Sequence, residues 1–68
     1  MNQVGQPKQI LLIPVQGGWE IVANYRYNSQ VLCRLEATLG QELAERIARL
    51  VAVNCGLSNF EWDGVSDV

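Results

Sequence analysis

The sequence predicts an α+β domain in which a three-stranded antiparallel meander packs on one C-terminal helix, with a possible short fourth strand (β-β-β-α-β). Short apolar runs separated by turn signals fill the first half of the chain, which is typical of strands. The second half has a stretch with helical periodicity. With 68 residues, 49% of them hydrophobic, we expect one domain spanning 1–68, with residues 1–8 and 65–68 frayed.

The first two strands are predicted to form a hairpin. Gln9–Val15 is apolar and rich in β-branched residues, as expected of a strand. Gly17 and Gly18 supply the positive φ angles that a tight loop requires. Trp19–Tyr27 is then the second strand.

Asn28 and Ser29 are a second turn signal. Residues 30–37 follow, and their apolar and charged side chains alternate, which predicts a third strand. A helix beginning at Ser29 is the alternative for this segment. The strand is favoured because the next helix has a start signal of its own.

That start signal is Thr38 followed by Gln41, the spacing of a capping box. The helix is predicted to run to about Asn54, with Gly56 as a left-handed stop. Its expected inward face is apolar and consists of Leu39, Leu43, Ala44, Ile47, Leu50 and Val51. Beyond it, residues 59–62 are predicted to form the short fourth strand, ending at the turn pair Asp63-Gly64.

Alternation along the strands divides the meander into two faces. We expect the helix to cover the aliphatic face, which holds Leu11, Ile13, Val15, Val22, Val31, Cys33 and Leu35. The other face is aromatic and aliphatic, and holds Ile10, Leu12, Pro14, Trp19, Ile21, Ala23, Tyr25, Tyr27 and Leu32, with Arg34 and Glu36 at its far side.

One helix cannot cover both faces, so the aromatic face is predicted to be an exposed docking surface for a protein partner or a second copy. The residues predicted to bind are Leu12, Trp19, Ile21, Tyr25, Tyr27, Leu32, Arg34 and Glu36. Two alternatives stay open. The tail can fold back and cover this face with Phe60 and Trp62, or the face can hold a small-molecule cleft.

The composition favours binding over catalysis. There is no histidine, so nucleophilic sites of the Ser-His-Asp and Cys-His types are excluded, and we expect no enzyme, cofactor or metal site. Cys33 and Cys55 are expected to be free, largely buried thiols. The net charge of −2 and five scattered basic residues make nucleic acid an unlikely partner. Without a secretory signal or membrane-spanning stretch, we expect a cytoplasmic protein with no membrane contact.

The pattern Pro14-x-x-Gly17-Gly18-Trp19 resembles the opening hairpin of a family of small bacterial domains of unknown function. The resemblance extends to Thr38, the helical segment 42–52, Gly56 and the terminal Asp63-Gly64. It implies the same β-β-β-α-β order and no activity. In size, charge and topology the chain also resembles phage and mobile-element inhibitors, including anti-CRISPR proteins.

These features leave three functional hypotheses. The first is a non-enzymatic interaction module. The second is a phage-type inhibitor whose acidic groups compete for the basic surface of a nucleic-acid-binding complex. The third is a single-strand nucleic-acid binder in which the tyrosines stack on bases.

Overall fold

The computed structural model describes residues 5–62. In this range the elements are β1 (Gln9–Val15), β2 (Gly18–Asn24), β3 (Ser29–Glu36), a 3-10 helix (Ala37–Leu39), α1 (Gln41–Asn54) and β4 (Glu61–Trp62). The sheet has the order β3-β2-β1-β4. β2 is antiparallel to both of its neighbours, and β4 is parallel to β1. The predicted α+β class is therefore confirmed, including the strand at 30–37 and the short fourth strand.

The first hairpin is closed by Gln16 and Gly17, one residue earlier than predicted, because Val15 pairs with Gly18. Gly17 has φ +90, which favours glycine. Gly18 lies where two backbones approach closely, since a Cβ added to it would be 1.9 Å from the carbonyl oxygen of Leu35. The two glycines are thus required for different reasons, a turn conformation and a lack of space.

The pairing between β2 and β3 is interrupted by a bulge. Ile21 pairs with Cys33, whereas the next residue, Val22, pairs with Val31, so Leu32 is an extra residue on β3. Side chains beyond a bulge change faces relative to a regular ladder. Cys33 therefore shares the face of Ile21, and Leu35 shares it too, contrary to the predicted assignment of both to the opposite face.

The core lies between the sheet and α1. Its buried residues are Ile10, Leu12, Ile21 and Ala23 from the sheet and Ala44, Ala48 and Ala52 from the helix. The predicted inward face of the helix is partly wrong. Leu43 and Leu50 are exposed, and the alanines face the sheet because its large side chains leave space only for small ones.

The face assignment of the sheet is reversed relative to the prediction. The helix covers the face of Leu12 and Ile21, both 0% exposed, and Trp19 and Tyr25 pack half-buried against the same core. Phe60 also packs there, so the alternative in which the tail covers this face is confirmed for that residue. The physical reason is the connection from β3 through α1 to β4: these strands are parallel, and the handedness of such a crossover selects one face.

The helix start also differs from the prediction. α1 begins at Gln41 after Gly40, which has φ +86, and no side chain caps it. The Thr38 hydroxyl donates to Glu36 at 3.5 Å, and the Gln41 side chain donates to Glu45 at 3.0 Å, so the predicted capping box is absent. The other end is confirmed, since Gly56 has φ +85.

The described part of the lead-in is attached to the sheet. Pro7 is buried, and the Lys8 amide donates to the Asn24 carbonyl at 2.7 Å. Residues 1–4 and 65–68, which were expected to fray, and the Asp63-Gly64 turn lie outside the described residues. In the range 5–62 no helix has the length and apolar character needed to cross a membrane.

Candidate interaction surface

The sheet face opposite α1 carries both aliphatic and polar side chains. The register places on it the β1 residues that alternate with the core, together with their partners on β2 and β3. We call this surface the open sheet face, and its apolar residues are Leu11, Ile13, Val15, Val22 and Val31. No described element packs on it, because the helix and Phe60 lie on the other side.

A row of three apolar residues crosses the middle of the open sheet face. Leu11 pairs with Val22, and Val22 pairs with Val31. Val22 is only 6% exposed, whereas Val31 at the sheet edge is 49% exposed. The row is therefore continuous, with a shielded centre and an accessible end on β3.

An ion pair lies next to this row. Glu20 and Arg34 are cross-strand partners, and the Arg34 Nε atom lies 2.9 Å from a Glu20 carboxylate oxygen. The Arg34 side chain is 79% exposed and the Glu20 side chain 20% exposed. Solvent screens such a pair, so it contributes little to stability. It fixes a charged boundary beside Ile13, which pairs with Glu20.

A hydrogen-bonded polar group borders the other side of the row. The Asn24 side-chain amide donates to Gln9 at 2.8 Å, and the Gln9 amide donates to Glu61 at 2.8 Å. These bonds connect β2, β1 and β4 on the open sheet face. The apolar row is thus enclosed by polar side chains on two sides, as in a protein interface with an apolar centre and a polar rim.

The rim carries a negative charge. By register, Glu20, Arg34 and Glu36 lie on the open sheet face, as does Glu61, which pairs with Leu11. Three carboxylates and one guanidinium give a sum of −2 at neutral pH. This net charge of the open sheet face favours contact with positively charged surfaces over negatively charged ones.

The structure does not bring the eight predicted binding residues together. Leu12 and Ile21 are in the core, and Trp19 and Tyr25 are half-buried against it. The other four are exposed: Tyr27 in the β2–β3 loop, Leu32 at the bulge, and Arg34 and Glu36 on β3. The prediction of an aromatic outer face is therefore wrong, because the helix covers those aromatic residues. The open apolar residues were named in the sequence analysis but assigned to the core.

Tyr27 is the most exposed aromatic residue of the described chain. It is 90% exposed, and the Arg26 guanidinium lies 5.7 Å from the centre of its ring. It belongs to the loop that joins β2 and β3, where the Tyr25 amide donates to the Asn28 carbonyl. Tyr27 thus lies outside the strands that form the open sheet face.

The described residues contain no group of three or more acidic, cysteine or histidine side chains placed to hold a metal ion, and no pocket. Cys33 and Cys55 are free and half-buried, so they are less buried than expected. The open sheet face presents apolar side chains and charged groups.

The fold defines the chain as a small α+β domain, and within residues 5–62 one face of its sheet has no element packed on it. Comparison with protein-family models, with curated proteins and with solved structures finds no match to it. The resemblance to the family of small bacterial domains stays a prediction.

Proposed function

We propose that this chain is a small protein-interaction module whose open sheet face binds another protein. The observation that carries the proposal is the continuous apolar row of Leu11, Val22 and Val31 on a face without a covering element in residues 5–62. Single exposed apolar residues are ordinary on protein surfaces, but contiguous patches with polar rims are typical of interaction sites.

Charge favours a different protein over a second copy as the occupant of this face. Two open sheet faces brought together would each carry the sum of −2 from Glu20, Glu36, Glu61 and Arg34. Like charges placed across an interface cost several kcal/mol and suppress the wrong partner. We therefore infer a partner that presents an aliphatic patch bordered by basic side chains.

The dimensions of the face favour a transient complex. Three gaps of about 4.8 Å between four strands make the sheet about 14 Å wide, and seven residues of β1 at about 3.3 Å each make it about 23 Å long. The projected area is at most roughly 330 Å² from these spacings, since β4 has only two residues, and a face of this size suits a small interface.

The inhibitor alternative has weaker support, because the carboxylates available for it are divided between the sheet and the helix. Glu42 and Glu45 lie on the helix, whereas Glu20 is paired with Arg34 and Glu61 accepts from Gln9 on the sheet. These carboxylates are distributed over two sides of the molecule. A competitor for a basic nucleic-acid site needs its negative charge concentrated on one side.

A labelled chain titrated with model peptides tests the proposal. The probe is an amphipathic helical peptide of leucine and lysine, and the matched peptide has glutamate in place of lysine. We expect saturable changes in amide chemical shift at Leu11, Ile13, Val22 and Val31 with the lysine peptide, and at least tenfold weaker binding of the glutamate peptide.

Two variants of similar exposure complete the test. Val31→Lys introduces a charge at the accessible end of the row, whereas Val53→Lys introduces it on the helix, where Val53 is 54% exposed. Val31→Lys is expected to weaken binding of the lysine peptide at least tenfold. Val53→Lys is expected to leave the affinity for this peptide unchanged. Shift changes confined to the helix, or equal effects of the two variants, would overturn the proposal.

A further inference from the structure

The outer surface of α1 has apolar side chains spaced as in a coiled coil. Leu43, Leu50 and Val53 are 38%, 58% and 54% exposed. Together with Arg46 they occupy positions separated by three, four and three residues, which is the hydrophobic spacing of helices that pair along their length. The alanines on the opposite side of α1 make the helix's buried contacts with the sheet. Leu43, Leu50 and Val53 are therefore not part of the buried core.

We propose that α1 packs antiparallel against α1 of a second copy, around a two-fold axis between Glu45 and Arg46. The charges on the helix favour this arrangement. Glu42 and Glu45 precede Arg46 and Arg49 along the chain, so an antiparallel pair centred between Glu45 and Arg46 sets the two acidic residues of one helix against the two basic residues of the other. A parallel pair would place Arg46 against its own copy.

The proposed axis also matches the positions of the charges and the leucines. In an antiparallel pair with its axis between residues 45 and 46, residues whose numbers add up to the same sum as 45 and 46 lie at the same level. Glu42 of each copy therefore lies level with Arg49 of the other. Leu43 then lies two residues, about 3 Å along the axis, from the level of Leu50 of the second copy. Among residues 5–62 the only ion pair is between Glu20 and Arg34, and on α1 Glu45 accepts a hydrogen bond from the Gln41 side chain at 3.0 Å.

This inference goes beyond the proposed function because it uses the opposite side of the molecule. A helix of 14 residues is about 21 Å long, so the interface is small and the dimer weak. The net charge of the four helix residues is zero, unlike that of the open sheet face. Dimerisation through α1 leaves both open sheet faces accessible, which makes the dimer bivalent for the partner.

Sedimentation equilibrium of the full chain measures this dimer. We expect the apparent mass to rise with concentration from the monomer value of 7.6 kDa toward twice that value. Leu50→Lys is expected to raise the dissociation constant at least tenfold. Val31→Lys, on the sheet, is the control and is expected to leave it unchanged. A chain that stays monomeric to about 1 mM, a concentration at which even weak pairs form, would overturn the inference.

Charge reversal tests the antiparallel orientation. Arg49→Glu places like charges opposite Glu42 of the second copy and is expected to weaken the dimer severalfold. The double variant Glu42→Arg with Arg49→Glu reverses both members and is expected to restore it, with circular dichroism confirming that the helix is intact. Failure of the double variant to restore the dimer would refute the antiparallel pairing. Peptide binding at the sheet is measured separately, so the two proposals can fail independently.

Discussion

Truncation of two adjacent leucines on β1 tests which sheet face is the core. Leu12 is 0% exposed and pairs with Ile21, whereas its neighbour Leu11 points to the open sheet face and is half-buried. Leu12→Ala and Leu11→Ala remove the same atoms from the same strand. The two variants therefore differ only in the environment that loses those atoms.

The expected cost of Leu12→Ala is large relative to the stability of the domain. Removing a fully buried leucine side chain costs about 2–5 kcal/mol, because the transfer free energy is lost and a cavity remains. At about 0.05–0.15 kcal/mol per residue, 68 residues give a total of roughly 3–10 kcal/mol. Leu12→Ala thus removes about a fifth or more of the free energy of unfolding. Leu11→Ala leaves no enclosed cavity and is expected to cost less than about 1.5 kcal/mol.

Urea denaturation followed by far-ultraviolet circular dichroism measures both variants. The backbone signal is preferable to tryptophan fluorescence, because Trp62 pairs with Leu12 and would report the local change. The denaturation midpoint of Leu12→Ala should fall well below that of Leu11→Ala with an unchanged slope. If Leu11→Ala proved the more destabilising of the two, the helix would lie on the aliphatic face and the open sheet face would not exist.

Two further substitutions test the close contacts of the fold by the same denaturation assay. Gly18→Ala is expected to cost about 1–3 kcal/mol or more, because its Cβ would meet the Leu35 carbonyl oxygen; a cost below about 0.5 kcal/mol, the range of an ordinary surface substitution, would contradict this. Ala48→Leu is expected to cost about 1–3 kcal/mol by overpacking the layer between helix and sheet, whereas Val53→Leu on the exposed side should change stability by less than about 0.5 kcal/mol.

Local patterns were sufficient to predict the elements but not the side of the helix that packs. The strand Gln9–Val15 and the helix end at Gly56 follow from propensity and turn chemistry, which depend on nearby residues. The inward side of α1 was misjudged because alanine contributes little to a hydrophobic pattern. Leu43 and Leu50 dominate that pattern although Ala48 occupies the contact with the sheet.

The bulge limited the prediction of the binding surface. Alternation assigns Cys33 and Leu35 to the face of Val31 only if the strand is regular. The extra residue, Leu32, moves them to the core side and brings Arg34 onto the open sheet face beside Glu20. No glycine or proline marks this bulge in the segment, so parity alone could not find it.

The side of the sheet that α1 covers follows from chirality. Val15 and Gly18 flank a two-residue loop, so they form a hydrogen-bonded pair whose backbone groups point at each other. Consider β1 running upward with β2 on its right. A residue of β1 whose N–H and C=O groups point to the right, as those of Val15 do, then directs its side chain toward the viewer, because all residues are of the L form. β4 then lies at the left and β3 at the right, so the crossover runs leftward. A right-handed crossover therefore lies behind the sheet, on the face of Leu12 and opposite Val15.

Because the handedness of the crossover determines which face α1 covers, packing of the core does not explain why the open sheet face has apolar residues. Handedness alone places α1, so Leu11, Ile13 and Val31 could be polar without exposing any part of the helix contact. Antiparallel sheets with one solvated face ordinarily alternate apolar and polar residues. The charge-paired positions of Glu20 and Arg34 follow that rule, whereas the apolar row does not. An apolar row that the position of the helix does not require is the observation that supports the proposed partner.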